Sequence, residues 1–231
     1  MPGQPYTDGI DAFNAVASTY ETWFASPVGR FVDRQELQAL ARTLSGVQPG
    51  ACIDIGAGTG HIASWLAERG HQVTAIEPSC AMRQEGMLRT AGLPIHWCDA
   101  HAEYLPFADA SFDCALLFTT LEFVCYPAQT LVEALRVVRP AGQVIVGFLH
   151  ALSPWVALYR YKADRGVMPW RAATFFTGEE VAGWMGQPAA QTEAAVYLAP
   201  QAMAPFVDAD QAGKRAGNPP ALEIRRWEKR P

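Results

Sequence analysis

The chain has 231 residues, half of them hydrophobic, and a formal net charge of -5, which is enough for one α/β domain with its own core and short of two independent domains. The first 200 residues hold no basic block, which argues against nucleic acid or an anionic membrane as the main partner; the basic end "EIRRWEKRP" has only Trp227 among its charges and reads as a solvated last strand. A charged-then-apolar leader pattern is absent and no apolar run approaches ~20 residues, so secretion and membrane spanning are not expected and a cytoplasmic location is.

In chain order, residues 11–24 place Phe13, Val16, Tyr20 and Trp23 at helical spacing, and residues 29–44 do the same with Phe31, Leu37, Leu40 and Leu44. Helices within 1–44 therefore precede the first strand-like run, "ACIDI". A glycine turn follows it, then a helix "GHIASWLAERG" closed by Gly70, a strand "QVTAIE", and a helix "SCAMRQEGMLRTAG" set between Ser79 and Gly92. "PIHWCD" is the third strand and "CALLFTT" the fourth. A helix from Pro127 through Val138, a turn "RPAG" and a fifth strand "QVIVGFL" complete the run 45–150. Short strands alternating with helices predict right-handed βαβ units and a doubly wound parallel sheet. The near-continuous apolar character of the fourth and fifth strands predicts that both of their faces are covered. Residues 151–176 turn aromatic and irregular and are read as a cap after the fifth strand. In 177–231, the capping box "TGEE" opens a short helix, and "TEAAVYL" and "ALEIRRW" form two last strands joined by a loop rich in Ala, Gly and Pro. The whole of 1–231 is expected to be a single domain.

Five cysteines, Cys52, Cys80, Cys98, Cys114 and Cys125, form no C-x-x-C pair, and three sit in strand-like runs where a reduced thiol packs as a small hydrophobe. "HWCDAH" brings His96, Cys98 and His101 close in sequence, but alternate strand residues point to opposite faces and no second cluster completes a tetrahedral site, so no metal is expected.

The stretch "CIDIGAGTGH" carries the chemistry. Glycines behind a strand let a ligand approach the backbone, and in a doubly wound sheet ligands lie at the carboxyl ends of the strands. Those ends carry Asp54, Glu77 and Asp99. A carboxylate after the second strand suits ribose hydroxyls, a need shared by NAD and S-adenosylmethionine. Two features separate them. Gly56, Gly58 and Gly60 follow G-x-G-x-G, whereas the dinucleotide fingerprint sets its third glycine one residue later. Three carboxylates would also repel a pyrophosphate and attract a sulfonium with its ammonium; unit charges ~4 Å apart at an effective dielectric of about 20 interact by roughly 4 kcal/mol.

"DIGAGTGHIASWLAERGHQVTAIEPS", "CDAHAEYLPFADASFDCALL" and "ALRVVRPAGQVIVG" closely resemble class I S-adenosylmethionine-dependent methyltransferases, in particular the type 11 subfamily that includes ubiquinone and menaquinone biosynthesis enzymes. The resemblance covers about residues 45–150. It implies a Rossmann-like seven-stranded, mostly parallel sheet with the last strand antiparallel. It implies that Gly56 and Gly58 meet the methionine part, Glu77 the ribose, Pro78 and Met82 the adenine face, and Asp99 with Ala100 the adenine amino group, with Phe118 at the methionine end. Arg30, between the N-terminal helices, is the expected donor to the cofactor carboxylate.

Methyl transfer needs orientation and desolvation more than a nucleophile, and no nucleophile elbow, metal triad or Cys and His pairing stands out. A base is needed only where the acceptor loses a proton. His150, Glu122, Tyr20, Tyr159 and Tyr161 are the candidates near the ligand edge. The acceptor is expected to be a small apolar or aromatic molecule, held by aromatic side chains of the N-terminal helices and of the cap, with few fixed charges around it. An NAD-dependent oxidoreductase and a catalytically silent S-adenosylmethionine-binding module are the other readings.

Overall fold

The structure is a computed structural model that describes residues 5–230, with side chains from residue 9. Three helices come first: α1 (Pro5–Tyr20), the single turn α2 (Thr22–Ala25) and α3 (Pro27–Thr43). Ser26 ends α2 and caps α3, its side-chain oxygen accepting from Gly29 N at 3.0 Å, with Pro27 at the first helical position where its missing N–H costs nothing.

The βα alternation then runs as the sequence predicts: β1 (Ala51–Ile55), α4 (His61–Ala67), β2 (Gln72–Ile76), α5 (Cys80–Arg89), β3 (Ile95–Cys98), β4 (Phe112–Phe118), α6 (Pro127–Val137) and β5 (Val138–Leu149). The seven strands lie in the order β3-β2-β1-β4-β5-β7-β6, and only β7 (Leu222–Glu228) runs against its neighbours, pairing antiparallel with both β5 and β6 (Gln191–Ala195). Strand order reverses at β1, whose neighbours are β2 and β4, and this is where a doubly wound sheet opens a crevice. Helices cover both faces. Leu40, Cys52, Leu66, Val73 and Leu116 belong to one core, and Ile53, Ile76, Leu117, Leu131 and Val146 to the other.

The sequence reading needs four corrections. "RPAG" lies inside β5 instead of preceding it: Val138 pairs with Phe112, the register shifts before Cys114, and Ala141 takes a left-handed φ of 62° that lets the strand continue through the irregularity. The segment 151–176 is largely helical. Ser153 caps α7 (Pro154–Asp164) by accepting from Val156 N at 3.2 Å. After α8 (Gly178–Met185), opened by the expected Thr177 and Glu180 capping box, the joining segment before β7 contains a further helix, α9 (Phe206–Arg215). Finally, Cys52 and Cys114 are joined as a disulfide, with Cα atoms 4.8 Å apart, because the β1–β4 register sets them directly opposite each other. Cys80, Cys98 and Cys125 form no disulfide among the described residues.

Candidate functional site

The turn after β1 folds back over the end of β2, with Gly56 and Ala57 N–H both donating to Ile76 O at 2.8 and 2.9 Å. This geometry requires glycine at two positions. Gly56 has φ 78°, and a Cβ there would run into the Thr120 side chain, whose hydroxyl donates to Ile55 O at 2.9 Å. Gly58 has φ 55°, and a Cβ there would meet only Met82 Cε at 3.4 Å, so the space beside it is open. That space is an open cavity of about 1140 Å³, solvent at its mouth included.

Gly56, Gly58, Glu77, Pro78, Met82 and Ala100 line the cavity together, and Phe118 joins them from the end of β4. Glu77 is held from behind: one carboxylate oxygen accepts from Gly58 N and the other from Ser79 N, each at 2.8 Å. Each oxygen keeps a lone pair free. Burial pushes the Glu77 carboxyl up to about 7, opposed by these two backbone bonds and by Arg83.

The expected ring of three carboxylates does not close. Asp54 is buried at the end of β1 behind the turn, raised to about 7 by burial and then by Glu77, with Oδ2 unpartnered. Asp99 turns outward, 65% exposed, and pairs with Arg83 at 2.7 Å. Neither lines the cavity. Gly60, with a left-handed φ of its own, caps α4 outside the wall. The negative wall is real but differently built: Asp33, Glu36 and Glu103 join Glu77, and no Lys or Arg lines the cavity among the described residues. Asp33 and Glu36 were missed in the sequence although they stand at helical spacing within the apolar stripe of α3, beside Val32, Leu37 and Leu40, which is where a signal lay. The walls therefore carry more fixed charge than the sequence suggests.

Arg30 does not reach the cavity. Its guanidinium donates to Ala25 O, and its side chain lines an outer groove with Arg34, Trp65 and Arg69. Of the proton-transfer candidates only Tyr20 lines the cavity; burial, then Glu21, Glu36 and Glu77, hold its phenol above the ordinary range. Glu122 is buried in the turn after β4, one oxygen accepting from Leu149 N and the other unpartnered, its carboxyl raised to about 7 by burial. His150 faces Glu223 at 3.7 Å on the β7 side. Tyr161 is exposed.

The segment after β5 does not wall the cavity either. Tyr159 stacks on Trp170 with ring centres 3.6 Å apart, Trp155 meets Trp23 edge-on at 6.5 Å, and Trp155 Nε1 donates to Leu198 O at 2.8 Å. Trp155 packs on α2 through Trp23, and the Tyr159 phenol, held above the ordinary range by burial and then by Glu36 and Tyr20, lies close behind the α3 end of the cavity. The lining aromatics are Phe13, Tyr20, Phe24, Phe118 and Phe123. The N-terminal helices are pinned over the cavity by polar contacts: Asn14 Oδ1 accepts from Ser79 Oγ at 2.8 Å, Glu21 accepts from Thr59 and pairs with Arg89, and Asp33 meets His61 Nε2 at 2.6 Å.

His96, Cys98 and His101 do not converge on a metal site. The described residues gather Cys52, His71 and Cys114 within 4.8 Å instead, at the amino-terminal end of the sheet away from the cavity, and the disulfide occupies both sulfurs.

The residues fit S-adenosylmethionine on their own evidence. The space beside Gly58 is one that a Cβ would enter, Glu77 offers free acceptor capacity at the end of β2, and acidic walls without a cation suit a sulfonium and an ammonium better than a pyrophosphate.

Residues 53–146 match the family described as "Methyltransferase domain". An uncharacterised protein of Mycobacterium tuberculosis is 33% identical over 165 residues, covering 71% of this chain and 55% of that protein. A demethylmenaquinone methyltransferase of Clavibacter sepedonicus is 34% identical over 136 residues, covering 58% of this chain and 55% of that protein. The chain thus spans about half the length of the curated relatives it matches. Among solved structures, a Thermotoga maritima protein described as a SAM-dependent methyltransferase, possible histamine N-methyltransferase, superposes with a TM-score of 0.74 at 27% identity, covering 95% of this chain and 99% of that one. No helix among the described residues is long and apolar enough to cross a membrane.

Proposed function

We propose that the chain, whose residues 53–146 match a methyltransferase domain, is a class I S-adenosylmethionine-dependent methyltransferase that moves a methyl group from S-adenosylmethionine onto a small molecule held between the glycine turn and helices α1–α3. The observation that carries this reading is the Glu77 carboxylate, fixed between Gly58 N and Ser79 N with lone pairs left for two ribose hydroxyls, at the edge of an acidic cavity.

S-adenosylmethionine supplies a methyl group already attached to a good leaving group, for in-line displacement by the acceptor. The protein's part is placement. Gly56 and Gly58 keep the floor free of side chains, Pro78, Met82 and Ala100 offer apolar surface for a purine, and Phe118 stands at the end of β4 where cofactor and acceptor would meet. The aromatic rings of α1 and α2, Phe13, Tyr20 and Phe24, cover the acceptor end and exclude water. Orienting two reactants in this way is worth ~7–11 kcal/mol of a barrier.

Calorimetric titration with S-adenosylhomocysteine, followed by a methyl-release assay over a panel of small metabolites, tests the reading. Saturable binding of about one molecule per chain and turnover of at least one panel member are expected. Failure to bind S-adenosylhomocysteine would overturn it, and binding without any turnover would favour a silent binding module.

A further inference from the structure

The α3 wall of the cavity carries chemistry that holding the cofactor does not require. Asp33 and Glu36 stand three residues apart on α3 and both line the cavity. Asp33 is engaged, meeting His61 Nε2 at 2.6 Å. The Glu36 carboxylate meets no hydrogen-bond or ion-pair partner among the described residues; burial and the neighbouring Asp33 raise it to about 8. Around the same space stand the rings of Phe13, Tyr20 and Phe24, and no Lys or Arg among the described residues lines it. Tyr20 links the two ends of the cavity, since its phenol feels both Glu36 and Glu77.

An aromatic-walled space with an unengaged carboxylate discriminates among ligands by charge. An acidic acceptor would set like charges against each other. A phenol or alcohol meets Glu36 through a neutral hydrogen bond only and brings the rings no charge to face. An ammonium gives Glu36 a charge-assisted hydrogen bond, and the rings give the same cation a face to lie on.

We propose that the methyl acceptor is a small aryl-bearing primary or secondary amine, its nitrogen against Glu36 and its ring among Phe13, Tyr20 and Phe24. The proposal rests on the methyltransferase reading above. An amine arriving as an ammonium has no lone pair to give. Glu36 takes one N–H proton and becomes the neutral acid; the freed nitrogen lone pair then forms the new C–N bond as the C–S bond of the sulfonium breaks, its electron pair staying on sulfur as a thioether. The methylated amine leaves as an ammonium, and Glu36 returns its proton to solvent. A carboxyl poised near neutral pH suits that exchange.

Calorimetry on the full chain saturated with S-adenosylhomocysteine provides the test, with 2-phenylethylamine, 2-phenylethanol and phenylacetate as cationic, neutral and anionic probes of one shape, and tryptamine as a larger amine. At least tenfold tighter binding of an amine than of the alcohol, with phenylacetate weakest, is expected. Glu36→Gln should erase that preference while S-adenosylhomocysteine affinity stays within about threefold. Equal or tighter binding of the alcohol or the acid, retention of the preference in Glu36→Gln, or binding of neither amine would each overturn the proposal. The comparison of probes on the unmodified chain decides even if the variant fails to fold. Failure of S-adenosylhomocysteine itself to bind would instead sink the methyltransferase reading beneath it.

Discussion

At the scale of single residues, the cofactor end of the site reduces to backbone conformation and one carboxylate. Gly58 has a φ of 55° and faces open space, so Gly58→Val combines strain with an obstruction; it should weaken S-adenosylhomocysteine at least tenfold while the protein remains folded. Glu77→Ala removes the acceptor for two hydroxyls and should cost ~2–4 kcal/mol, roughly 30- to 1,000-fold in affinity; calorimetry showing a change under threefold would remove Glu77 from the ribose site. Burial also gives these residues a signature in pH. Asp54, Glu77 and Glu122 are each raised to about 7 and Glu36 to about 8. Each holds its proton in the folded chain at a pH where the unfolded chain has lost it, so the folded state binds more protons and stability falls as pH rises from about 4 toward 8. The lowered carboxyls of Asp113, Glu133, Glu180 and Glu193 oppose this only up to about their unfolded values near 4, and the lowered His71 only up to 6.5, so between pH 5.5 and 8 the four raised carboxyls dominate. The ligand-free protein should therefore melt lower at pH 8 than at pH 5.5, and a flat or rising melting temperature would contradict the buried-carboxylate account. Gly56, Gly58 and Glu77 were legible in sequence because a strand end fixes where the next side chain points. Asp33 and Glu36 were not, because a helix register says which residues share a face and not what that face packs against. Asp99 sits at a legible strand end, yet Arg83, one turn into α5, draws its side chain outward.

At the scale of elements, α5 ties the cofactor edge to the N-terminal helices. Ser79 caps α5 by accepting from Met82 N at 3.2 Å and donates its own proton to Asn14 of α1. Ser79→Ala should cost about 1 kcal/mol for the lost cap, which lowers the melting temperature by ~2–4 °C in a chain of this size. An unchanged melting temperature would show that α1 and the cap contribute nothing there. Tyr159→Ala, by contrast, removes a ring that stacks on Trp170 and lies behind the α3 wall, away from Glu77, so it should lower stability yet leave S-adenosylhomocysteine affinity within about tenfold. The elements read best from sequence were those bounded by strong signals, such as β1 ahead of the glycine turn and α8 behind its capping box. α7 escaped because Trp155, Tyr159 and Trp170 read as aromatic clutter, although Ser153 and Pro154 form an ordinary helix start. α9 escaped because "FVDADQAGKR" carries few large apolar residues, and only Gly213 of it is fully buried.

At the scale of the whole molecule, the reversal of strand order at β1 sets the cavity's location, and the helices preceding β1 supply its far wall. The parallel core was legible because βα alternation admits few topologies. The antiparallel sense of the last strand followed from the resemblance, but the neighbours of β7 were not legible, since its insertion between β5 and β6 depends on partners about 80 and about 30 residues away. The account's central claim is that this reversal point holds a sulfonium nucleoside and not a dinucleotide. Parallel calorimetric titrations of the unmodified chain with S-adenosylhomocysteine and with NADH test it most directly: the account predicts saturable one-to-one binding of S-adenosylhomocysteine and no detectable response to NADH, whereas saturable NADH binding with no response to S-adenosylhomocysteine would contradict it.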